Sequence, residues 1–275
     1  MGSVSKLDNS TPYVFTYNSQ EYERLRTQAA AWEQATTEFL DRIGVAPGMR
    51  CCDLGCGMGD VLLLLATRVG QSGEVVGIDK DPSALKWASS RISSLGFSNV
   101  QLIQAEVNKL PLRLGQFDLT YCRDLLMHVP DPVATVKQII ALTRPRGVVA
   151  AQEFDNGTWD HYPEFEAFRT FKEILFAVFS ATGVEARMGR RLYRVFCEAG
   201  LAADVTGWVS VRRTNDPAYL SPVYVLMSLQ QRIIDLGLLT EAELNTLVEE
   251  LRAAQKDSRN FLVSPLVIGV WAHIK

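Results

Sequence analysis

This 275-residue chain lacks a basic excess, a disulfide-forming cysteine pattern and any long apolar run, and each absence removes a class of function. Its 28 Lys+Arg stand against 31 Asp+Glu, so no positive surplus is available to neutralise phosphates, and a nucleic-acid partner is disfavoured. Five cysteines, an odd number in a chain this long, do not make a disulfide framework. Cys51, Cys52 and Cys56 crowd together without CxxC spacing, so no metal site is expected. No run approaches the ~20 apolar residues of a membrane span. The first residues show no basic region followed by an apolar one, as a signal peptide would. Lys6 stands where a myristoylation start at Met1-Gly2 needs Ser or Thr. The expectation is a cytoplasmic protein with no membrane and no nucleic-acid partner. What is present is 47% hydrophobic residues with low, balanced charge, which excludes disorder and suffices for a well-buried core.

Periodicity sets out the elements. Tyr22, Leu25, Ala29, Trp32 and Phe39 predict a helix from about Gln20 to Ile43. After Pro47-Gly48, Arg50–Leu54 reads as a strand, Gly55–Gly59 as a tight loop and Asp60–Val69 as a buried helix. Glu74–Asp79 is a second strand, and Asp81-Pro82 caps a helix that runs to Leu95. Further strands are expected at Val100–Gln104, Phe117–Tyr121, Val148–Glu153, near Asp204–Val211 and at Leu262–Ile274, with helices at Pro132–Thr143 and near Leu192–Ala199. Strand–helix alternation at this spacing implies an α/β fold, a seven-stranded, mostly parallel sheet with helices on both faces.

Two stretches are longer than the connections usual in such folds, 156–183 and 217–256. The expected organisation is therefore an N-terminal helical arm over 1–44 and one domain over 45–275 carrying these two helical cap inserts. The first insert is rich in aromatics, among them Trp159, Phe165, Phe168, Phe171, Phe176 and Phe179. They either pack the insert onto the domain or line a roof over an apolar ligand.

The stretch Asp53-Leu-Gly55-Cys-Gly57-Met-Gly59 falls between a strand and a helix, where glycines admit close backbone approach to a ligand. Asp79 follows Gly59 by 20 residues, at the end of the next strand, a position from which a carboxylate reaches ribose hydroxyls. The dinucleotide pattern G-x-G-x-x-G fails, because Asp60 stands at its last position counted from Gly55 and Leu62 counted from Gly57. Asp60 would also place negative charge where a pyrophosphate needs a positive helix terminus. A cationic nucleoside without phosphate suits these carboxylates, and S-adenosylmethionine is such a ligand.

Together with further motifs in the right order, this region resembles the class I S-adenosylmethionine-dependent methyltransferases, in particular the small-molecule branch of the ubiquinone and menaquinone biosynthesis type. Besides the glycine loop, the likeness rests on Val76-Gly-Ile-Asp79, Ile103-Gln-Ala-Glu106-Val107-Asn-Lys-Leu-Pro111, Phe117-Asp-Leu-Thr-Tyr-Cys-Arg123 with Leu126-Met-His128-Val-Pro-Asp-Pro132, and Pro145-Arg-Gly147. Ser264 to Trp271 is similar to the branch's last strand, and Glu21 to Trp32 to its preceding arm. The resemblance implies a Rossmann-like fold and a site built as follows. Gly55, Gly57 and Gly59 would approach the cofactor through their backbone, and Asp53 would orient the loop and the methionine end. Asp79 would accept both ribose hydroxyls, with Lys80 flanking the adenine. Glu106 falls where the family more often has Asp for the adenine amino group, and Val107 would offer its N–H to the ring. Cys122 or Arg123 would offer a carbonyl to the methionine ammonium, while Tyr17 and Arg24 would close over the cofactor from the arm. Such an arm serves its own site or that of a second copy, which would make a homodimer.

Methyl transfer is an in-line displacement that depends mainly on placing the nucleophile and excluding water, with a base needed only for a protonated acceptor. His128 after the fourth strand, His161 at the start of the first insert and Glu153 at the end of the fifth strand are the candidate catalytic groups; Asp155 is comparable to Glu153, and His273 reads as structural. Arg187, Arg190, Arg191 and Arg194 read as a solvated face. The function expected is methylation of a small, largely apolar metabolite of specialised metabolism. The alternative is a cofactor-binding enzyme of the same fold that performs a cyclisation or pericyclic step. Protein or RNA methylation is disfavoured by the missing basic surface and by the lack of an Asn-Pro-Pro-Tyr-type segment after the fourth strand.

Overall fold

The computed structural model describes residues 19–107, 109–110 and 115–275. In chain order its elements are α1 (Ser19–Arg42), β1 (Arg50–Leu54), α2 (Asp60–Val69), β2 (Glu74–Asp79), α3 (Pro82–Ser94), β3 (Val100–Gln104), β4 (Phe117–Arg123), α4 (Pro132–Leu142), β5 (Thr143–Asp155), β6 (Asp160–Tyr162), α5 (Glu166–Thr182), α6 (Met188–Glu198), β7 (Asp204–Trp208), β8 (Val211–Arg213), α7 (Ser221–Asp235), α8 (Glu241–Ala254), β9 (Phe261–Val263) and β10 (Leu266–His273). Contacts divide them into two units. The larger takes in Gln28–Trp159, Arg187–Ser210 and Ser264–Lys275; the smaller holds the described residues up to Thr27, with Asp160–Ala186 and Val211–Val263.

The larger unit is built on a seven-stranded sheet in the order β3-β2-β1-β4-β5-β10-β7. The strands from β3 to β5 pair in parallel, and β10 runs antiparallel to both β5 and β7. Parallel pairing requires crossovers, which α2, α3 and α4 supply. In α2 the helical spacing of Val61, Leu62, Leu65 and Val69 buries one face against the sheet. Asp81 starts α3 by accepting from the N–H groups of Ser83 and Ala84 (2.7 and 3.0 Å), and Asp131 starts α4 by accepting from Ala134 (2.9 Å). Under α1, the fully buried Phe39 meets Trp208 and Trp271 edge-on at 5.7 and 5.8 Å between ring centres. Rings in this arrangement add to the burial that holds helix to sheet.

The smaller unit combines a three-stranded sheet, β6-β9-β8, with α5, α7 and α8. Its interior is apolar, with Phe168, Phe171, Val178, Leu226, Leu229 and Ile233 buried. The stretch expected as one strand over Leu262–Ile274 is two, β9 and β10, in different sheets, and the stretch expected over Asp204–Val211 divides likewise into β7 and β8. The break is a joint at which Ser210 and Ser264 bond to each other twice: the Ser264 N–H donates to the Ser210 carbonyl, and the Ser210 N–H to Ser264 Oγ, both at 2.9 Å. Alternation continues across such a joint, so the sequence pattern does not mark it. β5 also starts earlier than expected, at Thr143, because an irregularity between Phe117 and Leu119 lets Thr143 pair before Val148 does.

Candidate active site

The C-terminal ends of β1, β2, β4 and β5 present the charged and glycine-rich segments of the larger unit. Gly55, Gly57 and Gly59 all have positive φ, at +70°, +50° and +83°. The N–H groups of Gly55 and Cys56 donate to the Ile78 carbonyl (2.8 and 3.0 Å), and Gly57 N–H donates to Asp79 Oδ2 (2.8 Å). The loop is thus tied to the end of β2 at three points. A Cβ at Gly55 would stand 3.0 Å from Leu125 Cδ1, whereas one at Gly57 would meet nothing within 4 Å. Gly55 is thus favoured by its positive φ and by the close approach of Leu125, and Gly57 has open space beside its backbone.

Asp53 is only 2% exposed, and its Oδ2 has no hydrogen-bond partner. Burial pushes its carboxyl up to about 8, against the pull of the Arg123 guanidinium, with Asp79 and Asp60 adding to the rise. Arg123 is held in turn by donating from Nη1 to Thr36 Oγ1 on α1 (3.0 Å). A buried acceptor without a donor is costly, and a ligand ammonium is the kind of group that relieves it. Asp79 Oδ1 accepts from Asp81 N–H (2.9 Å) while Oδ2 holds Gly57, and burial raises its pKa despite both bonds. Each oxygen keeps a lone pair for a hydroxyl. Orphaned Asp53, paired Asp79 and the open Gly57 backbone together fit a cationic nucleoside.

The remaining expected contacts fall into place unevenly. Lys80 is exposed beside this loop, and its carbonyl accepts from Gln104 Nε2 (3.3 Å). Glu106 is also exposed and pairs with Lys109 at 3.4 Å, while Val107 next to it is half-buried. Cys122 is buried at the end of β4 and pairs in the ladder with Leu54 and Ala151. Arg24 belongs to the smaller unit, where its Nε and Nη2 each donate to Glu21 at 2.7 Å in a buried pair. Tyr17 lies outside the described residues.

Of the three candidate catalytic groups, His128 is half-buried at the end of a short 3-10 turn, Leu126–His128, after β4. Glu153 is fully buried; its Oε1 accepts from the Leu125 and Leu126 N–H groups (3.0 and 2.6 Å), and its Oε2 is enclosed without a partner. Burial, then the neighbouring Asp124 charge, pushes its pKa well up, against the pull of the Leu126, Leu125 and Met127 amides. His161 lies in the smaller unit, with Nδ1 2.7 Å from the Pro163 carbonyl and Nε2 2.6 Å from Tyr219 Oη. A carbonyl only accepts, so Nδ1 carries the proton and Nε2 accepts from the tyrosine. Asp155 is engaged as well, accepting from Gly157 N–H (3.0 Å) and from Arg190 Nη2 (3.0 Å). Arg190 stays exposed, as expected of its stretch, while its head pairs with the buried Asp155 carboxylate.

Sequence reasoning passed over Asp124, which adopts positive φ (+54°) without being glycine and accepts from Gln28 Nε2 (3.0 Å). Its place directly after the family-like segment ending at Arg123 was the available signal, but a backbone conformation of this kind leaves no pattern in side-chain hydropathy.

A family model described as a methyltransferase domain matches residues 46–200. The chain belongs to that family. A 2-phytyl-1,4-naphtoquinone methyltransferase of Nostoc sp. (strain PCC 7120) is 34% identical over 61% of this chain and 72% of its own length. A demethylmenaquinone methyltransferase of Lactococcus lactis is 28% identical over 59% of this chain and 65% of its own. The chain spans between 46% and 72% of the length of the curated relatives it matches first. Among solved structures, a SAM-dependent methyltransferase from Aquifex aeolicus shares the fold with a TM-score of 0.51 and 16% identity, covering 86% of this chain and 88% of that one. The fold is the Rossmann-like one of the S-adenosylmethionine-dependent methyltransferases, as the sequence resemblance implied. Among the described residues, no helix is long and apolar enough to cross a membrane.

Proposed function

We propose that this methyltransferase-family protein transfers a methyl group from S-adenosylmethionine to a small, largely apolar acceptor of quinol type, within specialised metabolism. The observation that carries the reading is the pairing of an orphaned buried carboxylate, Asp53 Oδ2, with a glycine loop whose Gly57 backbone is open. Support for the acceptor class comes from the naphthoquinone and menaquinone names of the relatives.

When bound, S-adenosylmethionine supplies a methyl group activated by a sulfonium. Asp53 offers its free oxygen to a positive charge, Asp79 offers lone pairs to ribose hydroxyls, and Gly55, Gly57 and Gly59 allow close approach. Lys80, Glu106 and Val107 border the adenine, and Cys122 or Arg123 presents a carbonyl to the ammonium. Tyr17 and Arg24 remain the residues of the arm proposed for the cofactor, and the inserts at 156–183 and 217–256 those proposed to select the acceptor. If the acceptor needs a base, His128, His161 and Glu153 are the candidate groups. Glu153 has both oxygens enclosed, and His161 has both ring nitrogens committed. A cytoplasmic location and a homodimer belong to the same proposal.

Isothermal titration with S-adenosylmethionine tests the cofactor assignment. Stoichiometric release of S-adenosylhomocysteine with an organic-soluble product tests the reaction. Turnover of an acceptor without S-adenosylhomocysteine would point instead to a non-methylating cyclisation.

A further inference from the structure

The turn after β4 has backbone N–H groups with no local side chain to receive them, since Leu125 stands at its N-cap position. An acceptor arrives from the neighbouring strand. Glu153 Oε1 takes the Leu125 and Leu126 N–H groups, and the Met127 N–H acts on the same carboxyl. The turn in question carries His128, and the Leu125 side chain packs where a Cβ of Gly55 would otherwise sit, 3.0 Å away. Glu153 therefore reaches the glycine loop through one intermediary. On the other flank Asp124, at φ +54°, is anchored by Gln28 and by its own N–H on the Gln152 carbonyl (3.0 Å).

We propose that Glu153 is a positioning residue that caps the 125–128 turn and so fixes Leu125 against the glycine loop, and that it takes no part in proton transfer. Its significance for turnover rests on the methyltransferase reading above, but the capping itself does not. An acceptor oxygen for two amides is what the geometry uses, and burial raises the carboxyl's pKa and so disfavours its charged form. A glutamine amide oxygen fills the same place, whereas alanine leaves the amides without an acceptor.

The test compares Glu153→Gln with Glu153→Ala in the full chain by two readouts. One is hydrogen exchange at the Leu125–Met127 amides, and the other is titration with S-adenosylmethionine and S-adenosylhomocysteine. Expected is wild-type exchange and affinity within about threefold for Glu153→Gln, and faster exchange with an affinity loss of about tenfold for Glu153→Ala, the size of a lost cap. Unchanged exchange in Glu153→Ala, or a Glu153→Gln protein as impaired as the alanine one, would overturn the proposal. If Glu153→Ala does not fold, Glu153→Gln decides alone, since loss of amide protection or of affinity there contradicts capping by a neutral oxygen. Should the wild-type protein bind neither ligand, the cofactor reading fails and hydrogen exchange still decides the capping.

Discussion

The Gly57 N–H donates to Asp79 Oδ2 at 2.8 Å, joining the glycine loop after β1 to the carboxylate at the end of β2. Asp79 holds the loop, and in the proposed reading it also accepts the ribose hydroxyls. Asp79→Ala is expected to weaken S-adenosylmethionine binding by about 10- to 100-fold, the range for lost hydrogen bonds to a charged group. Asp79→Asn keeps one acceptor oxygen and should lose less. Isothermal titration of both variants distinguishes the two.

Asp53 governs a pH effect whose sign can be stated. Its carboxyl is pushed up to about 8 in the folded protein, against about 3.9 for an unperturbed aspartate. A raised folded value stabilises the free protein fully below about pH 4, and that stability is lost as pH rises through about 8. Asp53→Asn should therefore raise the melting temperature of the free protein at pH 8, with the gain vanishing near pH 4. Affinity of the wild-type protein for S-adenosylmethionine should rise with pH up to about 8, and this rise should flatten in Asp53→Asn.

Gly57 and Gly59 differ in what surrounds them. A Cβ at Gly59 would come 3.2 Å from the Ala88 Cβ, but one at Gly57 meets nothing within 4 Å. Gly57→Ala should cost about 1–2 kcal/mol from its left-handed backbone alone, with a disproportionate loss of cofactor affinity. Gly59→Ala should be the less stable of the two by thermal melting.

These glycines and the two aspartates were legible in the sequence, because backbone freedom and strand-end charge demand particular residue types at particular spacings. So was the seven-stranded sheet, whose strands alternate with helices long enough to show a period. The three-stranded sheet was not, since β6, β8 and β9 have three residues each and too few alternations to register. Nor were the partners of Glu153 and His161. Carboxyl and imidazole both suit catalysis by type, and only the fold shows that two amides or a tyrosine already occupy them.

His161 has its partners inside the smaller unit. Burial lowers its pKa, so its share of stability is present above about 6.5 and is lost as pH falls through the folded value. His161→Phe removes the acceptor of the Tyr219 hydroxyl, a group that is 4% exposed and whose pKa burial raises to about 12. The expected cost is about 1–3 kcal/mol, read by denaturant unfolding, with cofactor affinity unchanged.

Incubation of the full chain with methyl-labelled S-adenosylmethionine and a set of naphthoquinols tests the central claim most directly. Expected is label in an organic-extractable product, with one S-adenosylhomocysteine formed per methyl transferred and both lost together in Asp79→Ala. An absence of S-adenosylmethionine binding, or product formed without S-adenosylhomocysteine, would contradict it.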